Sequence, residues 1–133
     1  MKTLAALLLT AAPLLAQNAV PWEHDLAAAQ QRARTEHKVI FVDVWTEWCG
    51  WCTRLQKNVF PKPEVQAALA KVVPLSLKTQ LKDVSPTDQT AMEKRFNVRG
   101  FPALFIVDAE GKVLRSNPGY LEPAELVKFL EGK

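Results

Sequence analysis

The sequence predicts an α/β domain with a central mixed β-sheet and helices on both faces. Three observations predict it. Val39 to Trp45 and Ala103 to Val107 are continuous β-branched and aromatic runs rather than alternating ones. Such runs suit strands covered on both sides. Helical patterns separate the earlier strand candidates, which argues for parallel pairing through crossovers. Asp108-Ala109-Glu110-Gly111 is a turn between the last two runs, which adds an antiparallel edge. With 133 residues, 48% hydrophobic and 23% charged, the chain has the composition of one globular domain.

The elements follow in order. Trp22 to His37 reads as a helix, with Trp22, Leu26, Ala29 and Ala33 at helical spacing. Val39 to Trp45 is the first strand, and Thr46 to Cys49 the turn that leaves it. Cys52 to Phe60 resumes a helical pattern, with Leu55 and Val59 four apart. Pro61 and Pro63 end it, and Glu64 to Ala70 forms a short second helix. Val72 to Leu77 is a strand, followed by a polar loop through Lys82. Ser85 and Pro86 place a cap and a first-turn proline ahead of a helix ending at Phe96. Ala103 to Val107 and Lys112 to Arg115 form the hairpin, and Pro123 to Leu130 the closing helix.

The N-terminus is of different material. Lys2 is the only charge before Glu23, and Leu4 to Leu15 is apolar apart from Thr10. A positive start, a short apolar stretch and a small residue at Ala16 describe a secretory signal peptide over residues 1–16. Ala19 is the second choice of cleavage site, and the working domain is expected over residues 20–133. The apolar stretch is too short for a spanning helix, which needs about 20 residues. The expected destination is the periplasm or the extracellular space, where conditions are oxidising.

Charge excludes one class of partner. The net +3 comes from 17 basic and 14 acidic residues scattered along the chain, so no nucleic-acid stripe is present. A monomer is expected. Function has to be read mainly from two cysteines, in Trp48-Cys49-Gly50-Trp51-Cys52. Cys49 stands where a buried strand gives way to a helix. Backbone N–H groups there favour thiolate over thiol. In such Cys-x-x-Cys helix starts the pKa falls from about 8.5 to roughly 3.5–7.5. The spacing also permits a Cys49–Cys52 disulfide. Cys49 is then the exposed nucleophile, and Cys52 the inward thiol that resolves the mixed disulfide. Two other readings stay open at this point. A static bond across so short a loop contributes only about 2 kcal/mol. A metal site would need His24 and His37, which precede the cysteines at the wrong spacing and read as solvated helix residues.

The run from Phe41 to Cys52, with Asp43 six residues before Cys49, resembles the active-site segment of the thioredoxin superfamily. Gly100-Phe101-Pro102-Ala103 is similar to that family's cis-proline loop. The likeness runs from about residue 36 to 131. Within that superfamily the region from Lys57 to Ala70, with its short helix after Val59-Phe60-Pro61-Lys62-Pro63-Glu64-Val65, more resembles the C-terminal domain of thiol:disulfide interchange proteins of the DsbD kind and secreted thioredoxin-like proteins. The resemblance implies a thioredoxin fold. It also implies a buried Asp43 that exchanges a proton with Cys52, and a cis Pro102 against the disulfide. It places Phe101 for backbone pairing with a substrate chain and Trp48 beside Cys49, and it puts Gly50 and Trp51 in the substrate-binding surface. Two departures stand out: Trp51 replaces the family's proline, and Lys57 stands where the family has a kink-forming proline. The strand at Val72 to Leu77 offers no counterpart of the lysine that faces the buried acid.

The expected activity is thiol–disulfide exchange with protein cysteine pairs, more as reductase than as oxidant. No dissociable cofactor and no metal are expected, since the dithiol carries the two electrons. An exported reductase would draw them from a membrane or periplasmic redox partner. The rival reading is a non-catalytic binding domain with a static Cys49–Cys52 bond, which would leave Asp43 and the Gly100-Phe101-Pro102 loop without a purpose. A Gram-negative host expressing the full chain is expected to release a mature protein starting at Gln17 or Val20, checked by intact mass.

Overall fold

The computed structural model describes residues 19–79 and 94–133. The signal-peptide segment and most of the helix expected from Ser85 lie outside the described residues. The elements are α1 (Leu26–Glu36), β1 (Ile40–Trp45), α2 (Gly50–Arg54) running into a π turn (Leu55–Val59), α3 (Pro63–Leu69), β2 (Val73–Lys78), β3 (Ala103–Val107), β4 (Val113–Asn117) and α4 (Pro123–Glu131). Among the described residues no helix is long and apolar enough to cross a membrane.

The sheet has the order β2-β1-β3-β4. β1 and β2 are parallel, with Ile40 opposite Val73 and Asp43 opposite Ser76. β3 is antiparallel to β1, with Val44 opposite Ala103. This corrects the expectation that helix-separated strands pair in parallel. The chain leaves β2 at Lys78 and re-enters the sheet at Ala103, at the end where β1 also finishes. Entering at that end, β3 runs antiparallel to β1. The consequence is functional, because Pro102 is delivered to the end of the sheet from which Cys49 emerges.

Strand β1 is the central wall of two cores. Its side chains alternate between the faces, as a pleated strand requires. Val42 and Val44 join Leu26, Ala29 and Ala33 of α1, with Phe96 and Phe105. Phe41 points the other way, into Leu55, Val59, Val65, Leu69, Leu126 and Leu130 from α2 through α4. Asp43 shares the face of Phe41 by the same alternation.

Helix α1 is shorter than its periodicity predicts. The Asp25 carboxylate accepts from the Ala28 N–H at 2.8 Å and starts the helix there. Upstream, Glu23 is extended and bonded to β2: its N–H donates to Pro74 O and its carbonyl accepts from Ser76 N–H, both at 2.8 Å. Trp22 therefore lies outside the helix, packed on Phe60 and Phe41 with ring centroids 4.9 and 6.0 Å apart. His24 precedes the helix, and His37 caps its C-terminus at φ 54. Both are exposed, and neither is a helix residue. The active-site helix differs too. It begins at Gly50 rather than Cys52, and at Leu55 its bonding widens to i→i+5, with Phe60 N–H donating to Leu55 O at 3.0 Å.

Phe41 is the hub of the second core, with T-shaped contacts to Trp22, Phe60 and Phe129 at 6.0, 6.1 and 6.4 Å. Phe41→Ala is expected to destabilise the fold by about 3–5 kcal/mol. Denaturant unfolding of the oxidised protein checks this. A loss below that of an exposed-site control such as Leu114→Ala would show that β1 is not the central wall.

Candidate active site

Cys49 is the N-cap of α2. Its backbone is extended (φ −86), and its sulfur accepts from the Cys52 N–H at 3.1 Å. The strand ends at Trp45 and the helix begins at Gly50, so the cysteine falls on the turn between them. The two cysteines are joined in a disulfide with Cα atoms 5.2 Å apart. Cys49 is 6% exposed and Cys52 1%. The expected order of access holds, but Cys49 is far less open than a free nucleophile. Reduction of the bond would leave the Cys49 thiolate facing the same N–H, at the positive end of α2.

Trp48 and Trp51 carry the exposure that the sulfurs lack, at 67% and 55%. The Trp48 ring meets Phe101 edge-on at 5.7 Å. That contact ties the loop before β3 to the residue preceding Cys49. The Phe101–Pro102 peptide is cis. Pro102 is buried, and with Gly100, Phe101 and Ala103 it lines a cavity of about 480 Å³ that reaches Ser116 and Gly119. Gly50 has open space above it, since an added Cβ would meet nothing within 4 Å.

Asp43 is 1% exposed, and neither carboxylate oxygen has a hydrogen-bond partner among the described residues. Burial pushes its pKa up from 3.8 to about 7. No lysine faces it. Lys78, at the end of β2, instead pairs with Glu47 and lies over the Trp45 ring at 5.3 Å. The residue opposite Asp43 is Ser76, whose hydroxyl accepts from Trp45 Nε1 at 2.8 Å. A cleft of about 1120 Å³ reaches Asp43 from outside, past His24, Trp45, Ser76 and Gln56. Gln56 belongs to the π turn of the active-site helix, so the cleft runs beneath that helix. Its walls are mostly apolar, with His24, Gln56, Gln66 and Ser76 as polar points, and it is roomy enough for water.

The expected site residues thus fall into two groups. Cys49, Cys52, Trp48, Gly50, Trp51, Phe101 and Pro102 gather at one end of the sheet, and Asp43 lies inside it on the strand leading there. Sequence reasoning missed two neighbours. Tyr120, the chain's one tyrosine, meets the Trp51 ring at 5.2 Å, and Arg54 lies over both rings. Arg54 could have been found from its i,i+3 spacing to Trp51. Nothing in the sequence brings Tyr120 there.

A redox-capable cysteine pair capping a helix, at the end of a four-stranded mixed sheet, defines a thioredoxin-like disulfide oxidoreductase-type fold. A Thioredoxin-like domain family model matches residues 26–132, and the chain belongs to that family. It is 31% identical over 83 residues to the thiol:disulfide interchange protein DsbD of Photorhabdus laumondii, covering 62% of this chain and 14% of that protein. The chain therefore spans about a seventh of that relative's length. Among solved structures, a DsbH oxidoreductase superposes with a TM-score of 0.71 at 25% identity, covering 95% of this chain and 94% of the other. The oxidised DsbD C-terminal domain of Neisseria meningitidis has a TM-score of 0.68 at 18% identity, covering 84% and 98%, and shares the fold.

The raised pKa of Asp43 has a consequence for stability. Between pH 3.8 and about 7 the unfolded chain has released this proton while the folded one retains it. The folded state then binds more protons, so stability falls as pH rises through that window. Above about pH 7 the buried carboxylate is charged and the penalty is constant. Asp43→Asn is expected to stabilise the oxidised protein, with a gain that grows from pH 5 to pH 7 and then levels off. Denaturant midpoints at pH 5, 7 and 8.5 check it; a gain independent of pH would mean that Asp43 titrates normally.

Proposed function

We propose that the protein is an exported thiol–disulfide oxidoreductase that reduces cysteine pairs on partner proteins. Residues 1–16 serve as its export signal and residues 20–133 as its working domain. The observation that supports this most is Asp43: a buried carboxyl without a hydrogen-bond partner among the described residues, on the strand that leads to the cysteines, lining the cleft that Gln56 of their helix also lines. A static disulfide has no use for such a group, which is expensive to bury.

The Cys49 thiolate attacks one sulfur of the partner's disulfide. A Cys49–partner bond forms, and the partner's other cysteine leaves as a thiolate and takes a proton from water. The Asp43 carboxylate then accepts the proton of Cys52, directly or through water in the cleft. The Cys52 thiolate attacks Cys49 Sγ, the mixed disulfide breaks, and the partner's second thiolate leaves and is protonated. Two electrons and two protons have passed to the partner, and Cys49–Cys52 is oxidised. A dithiol protein on the exported side, at or near the membrane, returns the electrons by the same exchange run backwards. Trp48, Trp51, Gly50 and the Phe101–Pro102 loop form the surface on which the partner's segment lies.

Cys49→Ser is expected to abolish reduction of insulin disulfides, and Cys52→Ser to accumulate a mixed disulfide on Cys49. Stopped-flow resolution of the mixed disulfide in chains that retain Cys52, from pH 6 to 9.5, tests Asp43. The parent rate should climb through about pH 7 as the carboxyl ionises. Asp43→Asn should lack that rise, run about a hundredfold slower near pH 7.5, and recover once Cys52 ionises unaided. Equal profiles for parent and variant would remove Asp43 from the mechanism. Inert cysteines under a mild dithiol would overturn the exchange reading as a whole.

A further inference from the structure

Beside the disulfide lies a cation held by two rings. The Arg54 guanidinium carbon is 5.3 Å from the centroid of Trp51 and 5.5 Å from that of Tyr120. The rings meet each other at 5.2 Å. Aromatic faces attract a guanidinium through their quadrupole, yet they take none of its in-plane N–H donors. Several cations of the described chain are engaged by acids or carbonyls: Arg32 pairs with Glu23 and Glu36, Lys38 with Glu36, and Lys78 with Glu47. Arg34, Arg95 and Arg115 donate to the carbonyls of Ala109, Glu110 and Phe129. Arg54 has neither kind of partner among the described residues, and it is exposed. It is pre-positioned without being neutralised.

Its place on the helix gives this a direction. Arg54 is three residues after Trp51 and four after Gly50, so all three share one face of α2. Gly50 has open space above it. A partner segment bonded to Cys49 and lying over Gly50 would run along the helix face that carries Arg54. An arginine fork matches a carboxylate with two parallel hydrogen bonds, and a lysine cannot reproduce that geometry.

We propose that Arg54, braced by Trp51 and Tyr120, is a specificity residue that binds the side-chain carboxylate of an Asp or Glu near the attacked cysteine of the partner protein. The proposal rests on the exchange reading above and narrows its substrate class to disulfides flanked by acid. Arg54 takes no part in the bond changes.

The test uses oxidised peptides with one cysteine pair and otherwise neutral residues. A single Glu, Gln or Lys is placed in turn at each of the three positions on either side of the attacked cysteine. The reduced protein is mixed with each peptide, and the second-order rate is read from Trp fluorescence. The readout is the ratio of Glu to Gln rates within one protein, which cancels any change in intrinsic reactivity. The parent is expected to prefer Glu by about tenfold at one or two positions and to disfavour Lys there. Arg54→Gln should bring the ratio to near one, and Arg54→Lys should retain part of it. Raising the salt concentration should shrink the preference in the parent alone. A flat ratio at every position in the parent, or a ratio that Arg54→Gln leaves intact, overturns the proposal. The parent's reaction with the neutral bis(2-hydroxyethyl) disulfide separates the two failures. A normal rate there with a flat ratio removes only the carboxylate role; no reaction removes the exchange reading and this proposal with it.

Discussion

Everything at the catalytic end depends on the burial of β1. Ile40 to Val44 are packed on both sides, by α1 on one face and by α2 through α4 on the other. A strand with no solvent face cannot slip in register without exchanging its two cores. Its end is therefore fixed, and Cys49 follows four residues after Trp45. The same strand fixes the partner loop, because Ala103 pairs with Val44 and so holds Pro102 at that end. Two segments far apart in sequence meet there because one rigid strand holds both.

What was legible in the sequence follows from which forces act locally. The continuous run through β1 announces a doubly covered strand, and Pro123 opens α4 where the sequence reading began it. The cysteine spacing places both sulfurs on one turn. The failures occur where a tertiary bond overrides a local pattern. Trp22 has helical spacing to Leu26, but its neighbour Glu23 finds backbone partners on β2 and stays extended. The antiparallel entry of β3 was hidden because it depends on where the chain returns, which periodicity does not encode. The π turn was hidden as well. It centres on Lys57, where the resembling family carries a kink-forming proline, so an altered backbone pattern recurs at that position without the residue that signals it.

The buried acid shows a local rule broken for a reason. A carboxyl among Phe41, Trp45 and Gln56 loses its hydration and gains no hydrogen bond among the described residues. The chain accepts that cost on its most constrained strand. Desolvation is also what brings the group's titration to about 7, where it can take and return a proton at neutral pH. A neighbouring lysine would lower the pKa again, and here the nearest strand position is Ser76, with Lys78 engaged by Glu47. The acid is thus tuned by burial alone.

Under the proposed function, chemistry and selection sit on separate parts of this site. The buried acid lies inside β1, and the sulfur's hydrogen bond comes from the first turn of α2. Both are shielded. Trp48, Trp51 and Arg54, by contrast, stand outside the sulfurs. With Cys49 only 6% exposed, an approaching chain meets the rings before it meets the nucleophile. A proline at position 51 would offer Arg54 no aromatic face. Trp51 makes the helix start into a platform, and Tyr120, from the loop before α4, completes it. On the proposed function the rim sets the choice of partner, and the helix cap and the buried acid carry the exchange chemistry.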